Sequence, residues 1–442
     1  MNDTLEKVVE DQIKFIEMQF TDIFGALKSI EIPIKYLDDA VHRGVWFDGS
    51  SIKGFRRIKE SDMYLKPDLE TYSALPGNNG DRKTARFICD IYSPDGSIFE
   101  GDPRAVLKKV VNEAKDMGYN FKVGPEVEFY LFKRKEDGTI EVPDFDIGSY
   151  FDCSVKDIGS NIRKDIMVEM NKFGIDSERA HHEVGEGQHE IGFKYGNPVE
   201  TADKVITLKN VITSVAHNNG LIASFMPKPL FGKPGSGMHV HFSLFDNEET
   251  PLFYDAEDRN KLSQLAKNFI AGELAYVKDI CALSNPTVSS YKRLVVGYEA
   301  PVYICWGSTN RSALIRIPRY TEGRESSVRA ELRSPDTSAS PYLLFAAMLK
   351  TGLEGVKKKI ELMPEQEDTV YDKTPEELLK LGIDTLPGSL SESVNIFRRS
   401  NLMREMLGKT LFEYYADAKD KEAEEYRIAV TDWEVNRYLE RC

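Results

Sequence analysis

No stretch of the 442 residues approaches the ~18 consecutive apolar residues of a membrane-spanning helix. One of the longest apolar runs, Leu343 to Leu349, fits a buried helix face instead. Cysteine is scarce: Cys89, Cys153, Cys281, Cys305 and Cys442 are scattered, odd in number and never in a Cys-x-x-Cys spacing. That argues against a zinc ribbon and for a reducing compartment. Positive charge is short as well, 58 Lys and Arg against 72 Asp and Glu, so general attraction to nucleic acid or an anionic membrane is not expected at −14. The N-terminus carries Glu6, Glu10 and Asp11 in place of a basic region followed by an apolar core, so it does not read as a signal peptide, and a cytoplasmic chain is expected. There is no Gly-x-x-x-x-Gly-Lys-Ser/Thr, which excludes a P-loop, so phosphates would have to be held by metals and arginines. His182-Glu183 is followed by Glu186 where the zinc-protease helix needs histidine.

What is present is ordinary globular composition, 41% hydrophobic and 29% charged, enough for one large or two to three modest domains. Leu5, Val8, Val9, Gln12, Ile13 and Ile16 recur at helical spacing and predict an opening helix of about 14 residues. Strands around Asp22 and Gly25, and a pair over 86–92 and 97–99 joined by Pro94-Asp95-Gly96, predict a small α+β domain over 1–101. Asp102-Pro103 reads as a helix start and opens a larger domain, 102–442. Its strands are broken by helices expected at 158–173, 198–218, 257–282 and 340–359, an α+β order without strict βαβ repetition. Two further helices, 389–407 and 410–440, follow an irregular connection over 363–388.

Three features could carry chemistry. In Val123-Gly-Pro-Glu-Val-Glu-Phe-Tyr-Leu-Phe132 strand alternation puts Glu126 and Glu128 on one face, where they repel unless a cation lies between them. Six of the seven histidines fall within residues 181–241, among them His181, His182, His189, His239 and His241. Alternation aligns His239, His241 and Ser243, while Gly185 and Gly187 let Glu183 and Glu190 reach one centre. Several carboxylates with one or two histidines suit Mg²⁺ or Mn²⁺ better than structural zinc. Third, Val288 to Arg333 holds seven arginines and Lys292 against four glutamates, a stretch of +4 suited to a small polyanion.

Seven segments in order resemble class I glutamine synthetase: Asp48-Gly-Ser-Ser51, Gly124-Pro-Glu-Val-Glu128, His181 to Glu190, Gly235-Ser-Gly-Met-His239, Lys292 to Pro301, Asn310 to Pro318 and Glu331 to Leu343. The resemblance implies a small N-terminal β-grasp domain and a large catalytic domain with a curved antiparallel sheet flanked by helices. It implies a homo-oligomer of two stacked hexameric rings in which Asp48 completes the neighbouring subunit's site. By the matched positions Glu128, Glu183 and Glu190 would hold one divalent ion and Glu126, His239 and Glu331 another. Arg293, Arg311, Arg333 and Gly235 would seat glutamate. Glu178, His241, Ser243, Arg316 and Arg329 would face ATP. Asp48, with Ser51, Tyr150 and Glu183, would bind ammonium and take its proton, and Glu299 would close over the intermediate. The implied reaction is ATP-dependent ligation of ammonia to the glutamate side chain through γ-glutamyl phosphate.

The departures concern one substrate loop and regulation. Pro234 stands where asparagine is expected, and Lys53 where an acidic residue or glycine is common. Arg56 and Arg57 are a candidate place for feedback by glutamine. Tyr371 resembles a tyrosine that some bacterial members adenylylate, but the accompanying insertion is missing, so control by metabolites or a small regulatory protein is expected. Competing readings are a γ-glutamyl ligase using an organic amine, a non-catalytic relative, and a metal hydrolase built on His239 and His241.

Overall fold

The computed structural model describes residues 2–52, 62–76, 80–141, 146–153, 157, 159–296 and 300–441. Lys53, Arg56, Arg57, Glu299 and Cys442 therefore lie outside the described residues. The opening helix is shorter than its periodicity predicts: it spans Asn2–Glu10 and stops before Gln12, whose φ of 54° turns the chain. Ile16 belongs to the next strand, where Ile16, Met18 and Phe20 alternate inward and bury almost completely. A period-2 pattern begins inside the period-3.6 one, and burial against a sheet decides between them.

Among the described residues the first sheet holds β1 (Phe15–Thr21), β2 (Leu27–Pro33), β3 (Val45–Asp48), β4 (Asp62–Pro67), β5 (Ser73–Ala74) and β6 (Thr84–Tyr92), in the order β2-β1-β6-β4-β3 with β5 beside β6. β1 runs antiparallel to β2 and parallel to β6. The β1–β2 turn is made by Asp22, whose Oδ1 accepts from the amides of Phe24 and Ala26, and by Gly25 at φ 81°. The strand expected over 97–99 reduces to a single bridge, Tyr92 to Ile98.

Asp102 caps the helix Pro103–Asp116 by accepting from the Arg104 amide at 2.9 Å, and its other oxygen accepts from the Ile91 amide of β6. Arg104 is the ionic joint between the two parts of the chain. Its guanidinium meets Asp68 at 2.8 Å, Asp90 at 2.7 Å and Asp203 at 2.9 Å, and the Tyr342 hydroxyl donates to Asp203 at 2.6 Å.

The second sheet contains β7 (Asn120–Arg134), β8 (Ile140–Glu141), β9 (Ser177–His182), β10 (Gln188–Phe193), β11 (Leu221–Ser224), β12 (Met238–Phe245), β13 (Tyr303–Gly307), β14 (Ala313–Arg316) and β15 (Ala330–Leu332). Their order is β13-β14-β15-β12-β7-β10-β9, with β8 and β11 also on β7, and pairing is antiparallel except between β13 and β14. Val123, Val127 and Phe129 of β7 and Met238, Val240 and Phe242 of β12 are buried in the hydrophobic core, which also takes in the helices Pro198–Asn218, Gln264–Ser284 and Pro341–Lys358. The last two pack through glycine: a Cβ on Gly272 would stand 2.4 Å from the Thr351 carbonyl oxygen.

Helix boundaries move where side chains supply a local stop. The helix expected from 257 begins at Gln264, because Asp258 closes a turn onto Asn260 and Leu262 and Ser263 caps the Ala266 amide. The helix expected over 389–407 ends first at Phe397, and Ser400 caps a new one, Asn401–Ile428, with a break at Gly408, φ 73°. The one expected to reach 440 ends at Ile428, and a capping box of Thr431 and Glu434 starts Asp432–Tyr438. The connection over 363–388 includes a short helix, Pro375–Lys380.

Candidate active site

The register of four strands assembles the acidic centre. Glu126 on β7 stands opposite His239 on β12, Glu128 on β7 opposite Glu190 on β10, and Glu331 on β15 opposite His241 on β12. His241 Nε2 is 3.0 Å from Glu126 Oε1, and His239 Nδ1 is 3.5 Å from Glu331 and 3.8 Å from Glu126. One residue beyond β9, Glu183 lies 3.0 Å from His181 Nε2, and Glu190 lies 3.8 Å from the ring's other nitrogen. Side-chain ligand atoms of Glu126, His241 and Glu331 lie within 4.8 Å of one another, as do those of His181, Glu183 and Glu190. A solvated outer face is ruled out for Glu128 and Glu190, which are 8% and 5% exposed.

The donor set fits divalent cations. Burial, with Glu128 and Glu183 beside it, pushes the Glu190 carboxyl up to about 8. Glu128 is also raised by burial. Carboxylates crowded in this way are relieved by a cation that accepts oxygen ligands.

Opposite charge lines the same wall. Glu331 lies 3.0 Å from Arg316 and 3.3 Å from Arg333, and Arg333 donates to the Arg311 carbonyl oxygen. Arg329 Nε donates to His241 Nδ1 at 3.3 Å, and burial holds that imidazole down to about 3. A cavity of about 570 Å³, the size of a small-molecule site, is lined by Glu178, His241, Ser243 and Arg329 together with Arg179 and Tyr195. Arg316, grouped with them from sequence, does not line it.

Arg293 is buried behind the loop that precedes β12. It donates to the carbonyl oxygens of Ser334 at 2.7 Å and Arg333 at 3.3 Å. A Cβ on Gly235 would lie 2.8 Å from its Cγ, and one on Gly237 2.5 Å from Nη2. Glu128 and its neighbours fix that loop: Glu128 accepts from the Gly237 amide at 2.7 Å, Gln188 donates to the Gly235 carbonyl oxygen at 3.0 Å, and the Tyr130 hydroxyl donates to that of Pro234 at 2.8 Å. Pro234 thus has its carbonyl engaged within the chain.

Tyr150 stacks edge-on to His181 at 5.6 Å, which brings it beside Glu183. Asp48 is elsewhere, at the exposed end of the edge strand β3, where it accepts from the Ser50 amide at 2.8 Å and starts the turn Gly49–Ser51. Two groups escaped the sequence reading. Arg179 forms an ion pair with Glu126, and alternation from His181 along β9 was the signal that could have found it. Gln188 joins Glu128 to the Gly235 loop, a role no spacing announces.

The glutamine synthetase beta-Grasp domain family matches residues 12–94, and the glutamine synthetase catalytic domain family matches residues 100–438. The chain belongs to the glutamine synthetase family. It is 46% identical over 439 residues to the glutamine synthetase of Clostridium saccharobutylicum, covering 99% of this chain and 98% of the relative. It is likewise 46% identical to that of Thermotoga maritima, with 99% of each chain covered. Among solved structures, ligand-free GmaS matches with a TM-score of 0.89 at 28% identity over 100% of both chains. The first sheet is thus the β-grasp domain, and the second is the curled catalytic sheet of a glutamate–ammonia ligase that makes glutamine with ATP. The family uses divalent metal ions, and membership supports a homo-oligomer. Among the described residues no helix is long and apolar enough to cross a membrane.

Proposed function

We propose that the acidic centre holds two or more divalent ions, Mg²⁺ or Mn²⁺, one on Glu128, Glu183 and Glu190 and one on Glu126, His239 and Glu331. Bound there, the ions would neutralise phosphate charge and polarise the γ-phosphoryl group. Arg329, Glu178, His241 and Ser243 face ATP from the cavity wall, and Arg316 meets the phosphates from beside Glu331. Arg293, Arg311, Arg333 and the Gly235 loop seat glutamate. The single observation that carries this reading is the convergence of Arg316 and Arg333 on Glu331, which puts an anion site against the acidic centre.

In the first step a γ-carboxylate oxygen of glutamate attacks the terminal phosphorus and the bond to the bridging oxygen breaks, releasing ADP. Arg333 and Arg316 stabilise the charge in transfer. In the second, ammonia attacks the acyl carbon and phosphate leaves. Ammonium is not nucleophilic, so a base must take its proton first, and Asp48 of a neighbouring subunit, with Ser51, Tyr150 and Glu183, is assigned that task. Glu299 is assigned to the flap that keeps water from the acyl phosphate. The sharing of sites goes with two stacked hexameric rings, domains of 1–101 and 102–442, a cytoplasmic enzyme, and control by metabolites or a small regulatory protein.

The test is phosphate release from ATP with Mg²⁺ and glutamate, comparing ammonium, methylamine and a longer amine, with the product confirmed by mass. Release dependent on both glutamate and ammonium supports the assignment; release only with the longer amine moves the amine site to another substrate. Asp48→Ala and Glu299→Ala should leave ATP binding largely intact and cut glutamine formation, and near-normal turnover in either would refute its role.

A further inference from the structure

Behind the acidic centre, a second set of polar groups converges on one buried carboxylate. Asp146, His182 and His189 are at most 1% exposed, and their side-chain ligand atoms lie within 4.8 Å of one another. Asp146 Oδ1 is 3.1 Å from His182 Nε2, and Oδ2 is 2.9 Å from His189 Nε2. The partners on the far side of each ring fix where the protons are. Arg163, held by a two-pronged pair with Asp157 at 2.8 and 2.6 Å, places Nη1 2.9 Å from His189 Nδ1. A guanidinium only donates, so Nδ1 accepts and the proton of His189 sits on Nε2. His182 Nδ1 is 2.6 Å from the Glu183 carbonyl oxygen, which only accepts, so that nitrogen donates while Nε2 faces Asp146. The Asp146 carboxylate is thus the common anchor of both rings in the cluster.

Two glycines make room for it. A Cβ on Gly148 would stand 2.7 Å from His182 Cδ2, and one on Gly159 2.2 Å from His189 Cε1. The Asp146 carbonyl oxygen also accepts from the Gly187 amide at 3.1 Å, inside the turn between β9 and β10. His182 and His189 face each other across those strands, and each precedes a carboxylate of the acidic centre, Glu183 and Glu190. Neighbouring residues on a strand point to opposite faces, so Asp146 grips both strands from the side away from the carboxylates. The His182 carbonyl oxygen accepts from the Phe151 amide at 3.1 Å, which ties in the residue after Tyr150.

We infer that Asp146 is a positioning residue that sets the spacing of Glu183 and Glu190 and the place of Tyr150, through His182, His189 and the turn at Gly187. This rests on the assignment of Glu183 and Glu190 as cation ligands. Asp146→Asn keeps the volume but removes the negative charge and one of the two acceptor oxygens that the rings face. It should weaken Mn²⁺ binding about tenfold, followed by the paramagnetic resonance signal of the free ion without substrates. The ammonium KM should rise by a similar factor while the ATP KM stays within about twofold. A residue that only stabilised the fold would lower the melting temperature and leave both quantities unmoved. Gly159→Ala, which displaces the His189 ring with Asp146 intact, should weaken Mn²⁺ binding in the same direction and decides the matter if Asp146→Asn does not fold. Wild-type Mn²⁺ affinity in either folded variant overturns the inference. Glu190→Gln measured alongside separates the two claims: if it too binds Mn²⁺ normally, the ligand assignment falls; if only it is weakened, the role of Asp146 falls alone.

Discussion

Glu190 stands directly opposite Glu128 across the β10–β7 pair, with both side chains buried on the face that also receives Glu183. This relationship predicts a proton inventory. The Glu190 carboxyl, lifted to about 8 by burial and by Glu128 and Glu183, holds a proton at pH 7 in the ion-free enzyme and must lose it to ligate. Divalent-ion binding should therefore release protons below about pH 8 and tighten as pH rises toward that value. Calorimetric titration of Mn²⁺ in buffers of different ionisation enthalpy reads the released proton directly. Glu190→Gln should lower the release, and an unchanged proton count in that variant would contradict the assignment.

Arg104 predicts a stability effect away from the chemistry. It is 4% exposed and satisfies three aspartates drawn from the β-grasp domain and from the helix Pro198–Asn218. Arg104→Met fills similar volume but leaves buried Asp203 with only the Tyr342 hydroxyl while Lys108 still serves Asp90 and Asp68, a loss of about 3 kcal/mol, the lower end for a broken buried pair. Chemical denaturation of the variant should show a lower midpoint and an unfolding free energy lower by that amount, with an earlier transition if the β-grasp domain detaches first.

Much of this site was legible because strand alternation is a strict rule. Glu126 with Glu128, and His239 with His241 and Ser243, share faces as their parity requires, and the Asp102-Pro103 start stands where the capping pair sits. What the sequence could not show was register between strands distant in the chain. Nothing local says that Glu331 meets His241, and alternation along β9 gives the face of Arg179 but not its partner Glu126. The misplaced helix ends have a different cause. Ser263, Ser400 and Thr431 cap new helices inside apolar periodicity that runs on regardless, so the period alone overextends each one.

Arg329 predicts a split between substrates. It lines the cavity and is oriented by His241 Nδ1 at 3.3 Å and the Ser327 carbonyl oxygen at 3.0 Å. Removing a charge-assisted contact of this kind costs about 1.5–3 kcal/mol, so Arg329→Ala should raise the ATP KM on the order of ten- to a hundredfold. The glutamate KM should change far less. Steady-state titration of each substrate at saturating levels of the other checks it, and equal rises in both would show that Arg329 supports the site as a whole.

Gly235 offers the most local test, because the atoms around it cannot give way. A Cβ there would lie 2.4 Å from the Pro227 carbonyl oxygen and 2.8 Å from Arg293 Cγ. The first is backbone, locked by the Ser236 amide that donates to it at 2.9 Å, and the second belongs to a buried arginine held by Ser334. In Gly235→Ala the loop must therefore move and not its surroundings, carrying with it the carbonyl oxygen that Gln188 holds. A displacement of this kind should raise the glutamate KM about tenfold or more, since an ångström of misplacement is enough to lose binding and orientation together. The ATP KM should move less than the glutamate KM, because no residue of that loop lines the cavity wall. A melting temperature that falls with both KM values unchanged would place Gly235 in the packing of the fold and outside the glutamate site.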